Sequence, residues 1–515
     1  MKMEIKYLFL LNWKRNDSNL NWKHISLSNL KVQGTKAFIW DFTGKIMMQG
    51  MGFIVSIFLA HLLEPSDFGL IAMIMAIISI ASIFSDIGLG AALIQRRRVL
   101  QIHYSSVFYF NITIGTLLTL LTFVSAPFIA KFYNNQALIP LVQVVSFSFI
   151  IGAISAVQST KLRKELNYAL LTKIKFVASL ISGIVGVSLA LYGIGVWSLV
   201  AQTLTQGIIY SALIWIISRW APSAGFSLKA LMQLWAFGFR MFLVALLETI
   251  FTRLDVIIIG RIFPPATLGY FNRAKSLDQI IIEYSSGSLM SVLFPVLSKI
   301  KNDLPRFQNI IIKSLGIIVF IVFLLLGNLY LVSHELIILI FGGKWLQSVE
   351  YFKILVLSGF GYPLSALLVN VLISRGNSKS FLRLDIYKKI LFGINLTIGF
   401  MWGVEGYLYG LFVAWLLAVY LNIIFASIEI QLSKVIFLKL IIIQILITVV
   451  STIAIKYLNC NLNYNYNYFI MLLIKSFEYT TLYITLNSIF KTDAYKYFMG
   501  EAKPAYNKLL YRIRK

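Results

Sequence analysis

Apolar stretches long enough to cross a bilayer recur along the whole chain and dominate every other feature of it. About 20 consecutive apolar residues span a hydrocarbon core as a helix. Such stretches are expected near residues 37 to 63, 68 to 94, 105 to 130, 138 to 158, 172 to 192, 194 to 217, 231 to 258 and 268 to 297. Six more are expected near 310 to 332, 351 to 373, 384 to 402, 404 to 426, 436 to 455 and 467 to 490. The composition, 59% hydrophobic and 13% charged, sits far from the about 45–50% and about 25% of soluble proteins. These features point to an all-α polytopic membrane protein with about fourteen transmembrane helices.

Charge then sets the topology. The 46 Lys and Arg against 20 Asp and Glu give +26, which on a soluble protein would point to nucleic acid. Here the positive residues collect in alternate short loops, at Arg96 to Arg98, Lys161 to Lys175, Arg219 and Lys229, Lys299 to Lys313, Arg375 to Lys389, and Lys434 and Lys439. The opposite loops hold only Lys131, Arg261, Lys344 and Lys456. By the positive-inside rule, the basic segment 1–36, the basic tail 491–515 and the basic loops are cytoplasmic. In segment 1–36 the apolar run Tyr7 to Leu11 is too short for a signal-peptide core. This charge pattern excludes nucleic acid as a partner and favours anionic phospholipids at the membrane surface. One cysteine, Cys460, and four scattered histidines (His24, His61, His103, His334) give neither a disulfide nor a metal-ligand spacing. No phosphate-loop motif appears, and no cofactor or metal is expected.

The second half of the chain restates the first. Ala60-His-Leu-Leu-Glu-Pro-Ser-Asp-Phe-Gly-Leu and Gly260-Arg-Ile-Phe-Pro-Pro-Ala-Thr-Leu-Gly-Tyr share proline and glycine at an offset of 200 residues. A weaker echo pairs Tyr192-Gly-Ile-Gly195 with Trp402-Gly-Val-Glu-Gly406. Six expected spans separate the repeated points, so the halves share an orientation and an axis along the membrane normal. The expected organisation is an N-lobe over 37–217, a C-lobe over 231–426 and two further helices over 436–490. Two such pseudo-symmetric six-helix lobes around a central cavity are an architecture of alternating-access transporters.

Ionisable groups inside spans are costly, at least about 2.5–3.5 kcal/mol near the bilayer centre, and tend to mark function. They fall on the first two helices of each lobe: Asp41, Lys45 and Asp86, then Arg240, Glu248, Arg253, Asp255, Arg273, Lys275, Asp278 and Glu283. Arg273, Arg240, Lys275 and Lys45, with Asn272, are the candidates for binding an anionic, hydroxyl-rich headgroup, because Arg and Lys suit phosphate oxygens. Asp41, Glu248, Asp255, Asp278, Glu283 and Asp86 are candidates for ion coupling or charge pairing. Asp41 with Lys45, and Lys275 with Asp278, have the spacing of self-neutralising pairs on one helix. Arg240 and Glu248 lie within about 80° of each other on theirs. Asp86 reads as a structural acceptor at the cytoplasmic mouth.

Seven segments together resemble the Wzx-type polysaccharide flippases, in their WzxC-like branch, of the MOP superfamily that also holds lipid II flippases and MATE exporters. They are Leu-Glu-Pro-Ser-Asp-Phe-Gly-Leu (63–70), Phe-Ser-Asp-Ile-Gly-Leu-Gly-Ala-Ala-Leu-Ile-Gln (84–95) and Ala-Pro-Phe-Ile-Ala-Lys-Phe-Tyr (126–133). With them go Gly-Val-Trp-Ser-Leu-Val (195–200), Leu-Gly-Tyr-Phe-Asn-Arg-Ala (268–274), Phe-Pro-Val-Leu-Ser (294–298) and Phe-Gly-Gly-Lys-Trp (341–345). The resemblance implies a MATE-like fold and a transporter, without bond-making chemistry. Its implied cargo is an undecaprenyl-pyrophosphate-linked oligosaccharide moved across a bacterial inner membrane for surface polysaccharide. Other polysaccharide-assembly membrane proteins are implied partners, and the family's Asn-Arg-Ala motif falls on Asn272, Arg273 and Ala274.

Two rival readings stay open from sequence. A MATE-type cation or drug exporter would need its acidic residues to bind the cargo. An integral-membrane polymerase or glycosyltransferase would need a sizeable aqueous segment, and the longest outer connection is expected only at 333–350.

Overall fold

The computed structural model describes residues 27–460 and 467–501, with side chains at all of them except 27–39, 41–42, 280–292, 294–295 and 460. The first half of the chain forms α1 (Leu27–Leu62), α2 (Pro65–Ser82), the short α3 (Leu89–Gln95) and α4 (Gln101–Tyr133). It continues with α5 (Leu138–Ser146), α6 (Ser148–Lys164), α7 (Tyr168–Leu191) and α8 (Val196–Ser218). The second half forms α9 (Leu228–Ile262), α10 (Pro265–Lys299), α11 (Leu304–Phe341), α12 (Leu346–Ser358) and α13 (Gly361–Arg375). After these come α14 (Ser378–Ile398), α15 (Gly403–Glu429), α16 (Lys434–Cys460) and α17 (Tyr468–Ile489). Among the described residues eleven stretches are long and apolar enough to cross a membrane, one of which, Ser378–Glu429, holds both α14 and α15. The helices α9 and α10, where most of the intramembrane charge sits, are of spanning length but outside that count. The whole is compatible with the fourteen spans expected.

The internal repeat is visible in the backbone. Proline opens both α2 and α10, where its missing N–H costs no helical hydrogen bond. At the opposite end, Leu166 (φ 57°) and Gly376 (φ 84°) make equivalent left-handed corners. Each is followed by an asparagine that caps the next helix: Asn167 accepts from the Leu170 amide at 3.3 Å and Asn377 from the Ser380 amide at 3.1 Å. The echo at Tyr192 and Trp402 is likewise a shared turn, with φ of 75° at Gly193 and 80° at Gly403. One end of the helix array therefore holds Pro65 and Pro265, and the other holds the basic loops.

Packing follows these elements. Helix α1 lies on α7, α7 on α8, and α4 on α5 and α6, while α10 packs on α12 and α13 and α14 on α15. Helix α9 was expected to belong to the second half alone. Its first turns instead join the first half, because Leu231 and Leu234 share a core with Leu89, Leu93, Val107 and Phe108. A Cβ on Gly88 would collide with the Gly238 carbonyl, so the two backbones touch there. The preceding connection is strapped to α4 by the Ser227 amide donating to Ser106 Oγ at 2.9 Å.

One further expectation is revised. The connection 333–350 is almost entirely helical, since α11 runs to Phe341 and only a short 3-10 turn, Gly343–Trp345, separates it from α12. The last two helices pack on the second half. Tyr479 and Tyr483 donate to the Phe323 and Phe320 carbonyls at 3.1 and 3.0 Å, and Lys475 pairs with the buried Glu335 at 2.5 Å, fixing α17 to α11.

Candidate functional site

At the proline end, the two repeat helices touch through their glycines. A Cβ on Gly69 would collide with the carbonyl of Pro265, and one on Gly269 with the carbonyl of Pro65. The contact is reciprocal, as a two-fold axis between α2 and α10 demands. One turn beyond Gly269, Arg273 is buried, at 7% exposure. Its guanidinium carbon lies 4.3 Å from the Phe68 ring centroid, 4.8 Å from Phe341 and 5.0 Å from Trp345. One terminal nitrogen donates to Ser56 Oγ, and Nε has no hydrogen-bond partner. Among the described residues no carboxylate is within ion-pair distance of it. Ring faces thus replace a counter-ion, each desolvated cation–π contact supplying up to about 2 kcal/mol.

The surrounding residues lock this cage across the chain. Trp345 meets Phe68 edge to face at 5.2 Å and donates through Nε1 to the Ala60 carbonyl at 3.0 Å. Lys344 pairs with Glu64 at 2.7 Å, an exposed contact worth about 0–1 kcal/mol. Three separated segments, 63–70, 268–274 and 341–345, meet here and close this end. Sequence reasoning placed Arg273 in an open lumen; in this conformation it is inside the closed contact.

Below the cage, Lys275 bonds Asp255 on the neighbouring α9. The expected Lys275–Asp278 pair on one helix is therefore not the hydrogen-bonded one, and buried Asp278 keeps one carboxyl oxygen without a partner. Asn272 is half-buried beside them. Asp86 accepts from the Gly90 amide at 3.0 Å and so caps the short α3. Arg240 and Glu248 are both exposed on α9 and form no ion pair with each other. The side chains of Asp41 and Glu283 lie outside the described residues.

The interior also holds charge that sequence reasoning assigned to a loop. Lys388 and Lys389 lie in the middle of α14; Lys389 pairs with Asp385 at 3.0 Å and sits 5.8 Å from the Phe251 ring on α9. The asparagine cap at Asn377, already readable as a helix start, was the signal that would have placed them. In the first half, α1, α7 and α8 line an open cavity of about 550 Å³. It is lined by Lys45, Lys175, Thr172, Thr203, Gln206 and Tyr210, with Gly44, Met48, Ala178 and Gly207 completing the wall. Lys45, Lys175, Arg240 and Lys389 are all exposed on the half of the molecule toward the basic loops.

Residues 58–350, which include all of the Arg273 cage but Ser56, match the family described as "Polysaccharide biosynthesis protein". The chain belongs to that family. Among curated members of this kind it is 29% identical over 322 residues to the teichuronic acid biosynthesis protein TuaB of Bacillus subtilis, covering 61% of this chain and 66%, just under two thirds, of TuaB. It is 23% identical to the lipopolysaccharide biosynthesis protein WzxC of Escherichia coli, over 73% of this chain and 76% of WzxC. Similarity also extends to the succinoglycan biosynthesis transport protein ExoT of Rhizobium meliloti, at 23% identity over 62% of this chain and 65% of ExoT. The fold of this polysaccharide biosynthesis protein is shared with solved transporter structures. It overlays the lipid II flippase MurJ in an inward closed conformation with a TM-score of 0.69 at 17% identity, covering 88% of this chain and 98% of MurJ. An inward-facing MATE multidrug transporter follows with a TM-score of 0.56 at 15% identity, over 76% of this chain and 98% of that one.

Proposed function

We propose that the protein is an alternating-access flippase that moves undecaprenyl-pyrophosphate-linked oligosaccharide across a bacterial inner membrane for surface polysaccharide synthesis. The observation that carries this reading is the gate: the repeated Pro/Gly helices close one end around a desolvated arginine, while the other half keeps exposed cations at membrane depth. The relatives named for polysaccharide and lipopolysaccharide synthesis and for transport support the cargo class.

In this reading the basic end and both termini face the cytoplasm, where anionic lipids hold the loops. The lobes comprise 37–217 and 231–426, with 436–490 fixed to the second. The pyrophosphate and sugars enter at the basic end while the prenyl tail stays in lipid. The lobes then rock, the Arg273 cage parts, and the headgroup leaves at the proline end. Arg273, Arg240, Lys275, Lys45 and Asn272 serve the headgroup, and Asp255 and Asp278 set the charge balance beside it. Other polysaccharide-assembly proteins take the product from that face.

The test is appearance of lipid-linked oligosaccharide at the outer surface of reconstituted vesicles, read by a lectin that cannot cross. Wild type should expose it within minutes and Arg273→Ala should lose most of the rate while remaining folded. Vesicles in which wild-type protein leaves the glycan on its starting side would refute the reading.

A further inference from the structure

We infer that the cavity between α1, α7 and α8 is the loading site for the diphosphate of the carrier lipid, filled while the gate at the other end is still shut. This rests on the flippase reading and assigns within it a subsite separate from Arg273, built on Lys175, Gln206 and Tyr210 together with Lys45.

The chemistry of the walls selects an oxyanion. Lys45 and Lys175 come from two different helices, and among the described lining residues there is no Asp or Glu. Each lysine also engages another group of the protein, but an ammonium has three donors and keeps others for a ligand. Gln206 adds an amide donor beside them, while the hydroxyl hydrogens of Thr172, Thr203 and Tyr210 are given to Trp40, Leu199 and Ser159. Tyr210 is itself oriented, its hydroxyl donating to Ser159 Oγ at 3.1 Å. A volume of about 550 Å³ falls in the usual range of small-molecule pockets, about 300–1,000 Å³.

Small residues make the space. Gly44 lets α1 close onto Thr172, where a Cβ would collide with the threonine side chain. That contact pins one edge of the cavity, and the Thr172 hydroxyl reaches the Trp40 carbonyl at 3.4 Å. Across the void, Gly207 and Ala178 present no bulk. Lys175 is seven residues into α7, counted from Tyr168, which puts it about 10 Å from the basic end at 1.5 Å per residue. An anion arriving from the basic face meets this pair well before it could reach the caged Arg273. The order of events follows: the diphosphate is held near the entrance by two flexible lysines, and Arg273 becomes available only when the cage opens.

The test is the affinity of the purified full chain for undecaprenyl diphosphate, carrying no sugar, measured by thermophoresis in detergent. Lys175→Gln and Lys45→Gln should each weaken binding about tenfold, the scale of one hydrogen bond to a charged group. Lys175→Arg should restore most of it, and Lys379→Gln, the same charge change on an exposed position of α14, should not weaken it. Phosphatidylglycerol at equal mole fraction should compete poorly. Wild-type affinity in both Lys→Gln variants, or equal competition by phosphatidylglycerol, would overturn the assignment. If Lys175→Gln does not fold, the Lys45→Gln variant alone carries the test. Vesicle translocation by wild type, measured in parallel, separates the two readings: translocation with unchanged binding in the variants rejects the subsite and leaves the flippase standing.

Discussion

The guanidinium of Arg273 is held by three ring faces and one hydroxyl, so its energy depends on Phe68, Phe341 and Trp345 staying in register. Those rings come from both halves of the chain, which makes the arginine a sensor of whether the halves are together. A lysine there would keep the charge but lose the planar stacking and the forked donors. Arg273→Lys is therefore expected to loosen the gate by about 1–2 kcal/mol, since a compact ammonium cannot lie against all three rings and bond Ser56 at once. The measurement is labelling of a cysteine introduced at Ser56, in a Cys460→Ser background, by an impermeant thiol reagent. Labelling should speed up about tenfold in Arg273→Lys, and an unchanged rate would show that the cage does not hold the gate. The residue itself was legible from sequence, since an arginine in a span demands explanation. Its partners were not: Ser56 is 217 positions away, and nothing local marks a phenylalanine as a ring for a distant cation.

Helices α2 and α10 approach as closely as two backbones can because each offers a glycine to the other's first proline. Adding one methyl at Gly69 places it on the Pro265 carbonyl, and backbone cannot step aside as a side chain would. Gly69→Ala should separate the two helices at the proline end, and Gly269→Ala should do the same by symmetry. Both are expected to raise outer accessibility more than they lower the melting temperature, and equal labelling to wild type would remove the contact from the gate. Elsewhere a buried pair fixes an element: Lys475 and Glu335 join α17 to α11. Lys475→Met leaves Glu335 buried without its partner, a change that typically costs about 3–5 kcal/mol, and Glu335→Gln in the same chain should recover part of it. Thermal unfolding in detergent reads both. At this scale hydropathy located the spans well, because a helix in lipid needs a continuous apolar run. Loop charge was the poorer guide at Lys388 and Lys389, which were counted with a basic loop although the span expected at 384–402 contains them. Hydropathy failed at 333–350, where a few polar residues suggested a loop and tertiary packing made a helical corner.

Across the whole molecule, the repeat, the closed proline end and the exposed cations of the opposite half combine into a device that handles charge in a field. Each elementary charge carried across 100 mV is worth about 2.3 kcal/mol, and the proposed cargo is an anion while the protein exposes Lys45, Lys175, Arg240 and Lys389 within its helices. With the basic end on the negative side, outward movement of the headgroup runs downhill. The groups expected inside the spans are five basic against six acidic, so the emptied interior carries little net charge and the potential acts on the loaded half-cycle, without ATP. The repeat matters here because two similarly oriented halves can rock about one axis and exchange which end is shut. Reconstituted vesicles with an imposed potential, negative on the basic side, should therefore translocate lipid-linked oligosaccharide several-fold faster than vesicles held at zero. Reversing the sign should slow them below that level. Neutralising two of the exposed cations together, as in Arg240→Gln with Lys389→Gln, should slow translocation at every potential by weakening the hold on the anionic headgroup. A rate indifferent to potential in wild type, but set by an imposed proton or sodium gradient, would transfer the driving force to the acids around Lys275, with Asp278 and its unpartnered oxygen the first to be replaced.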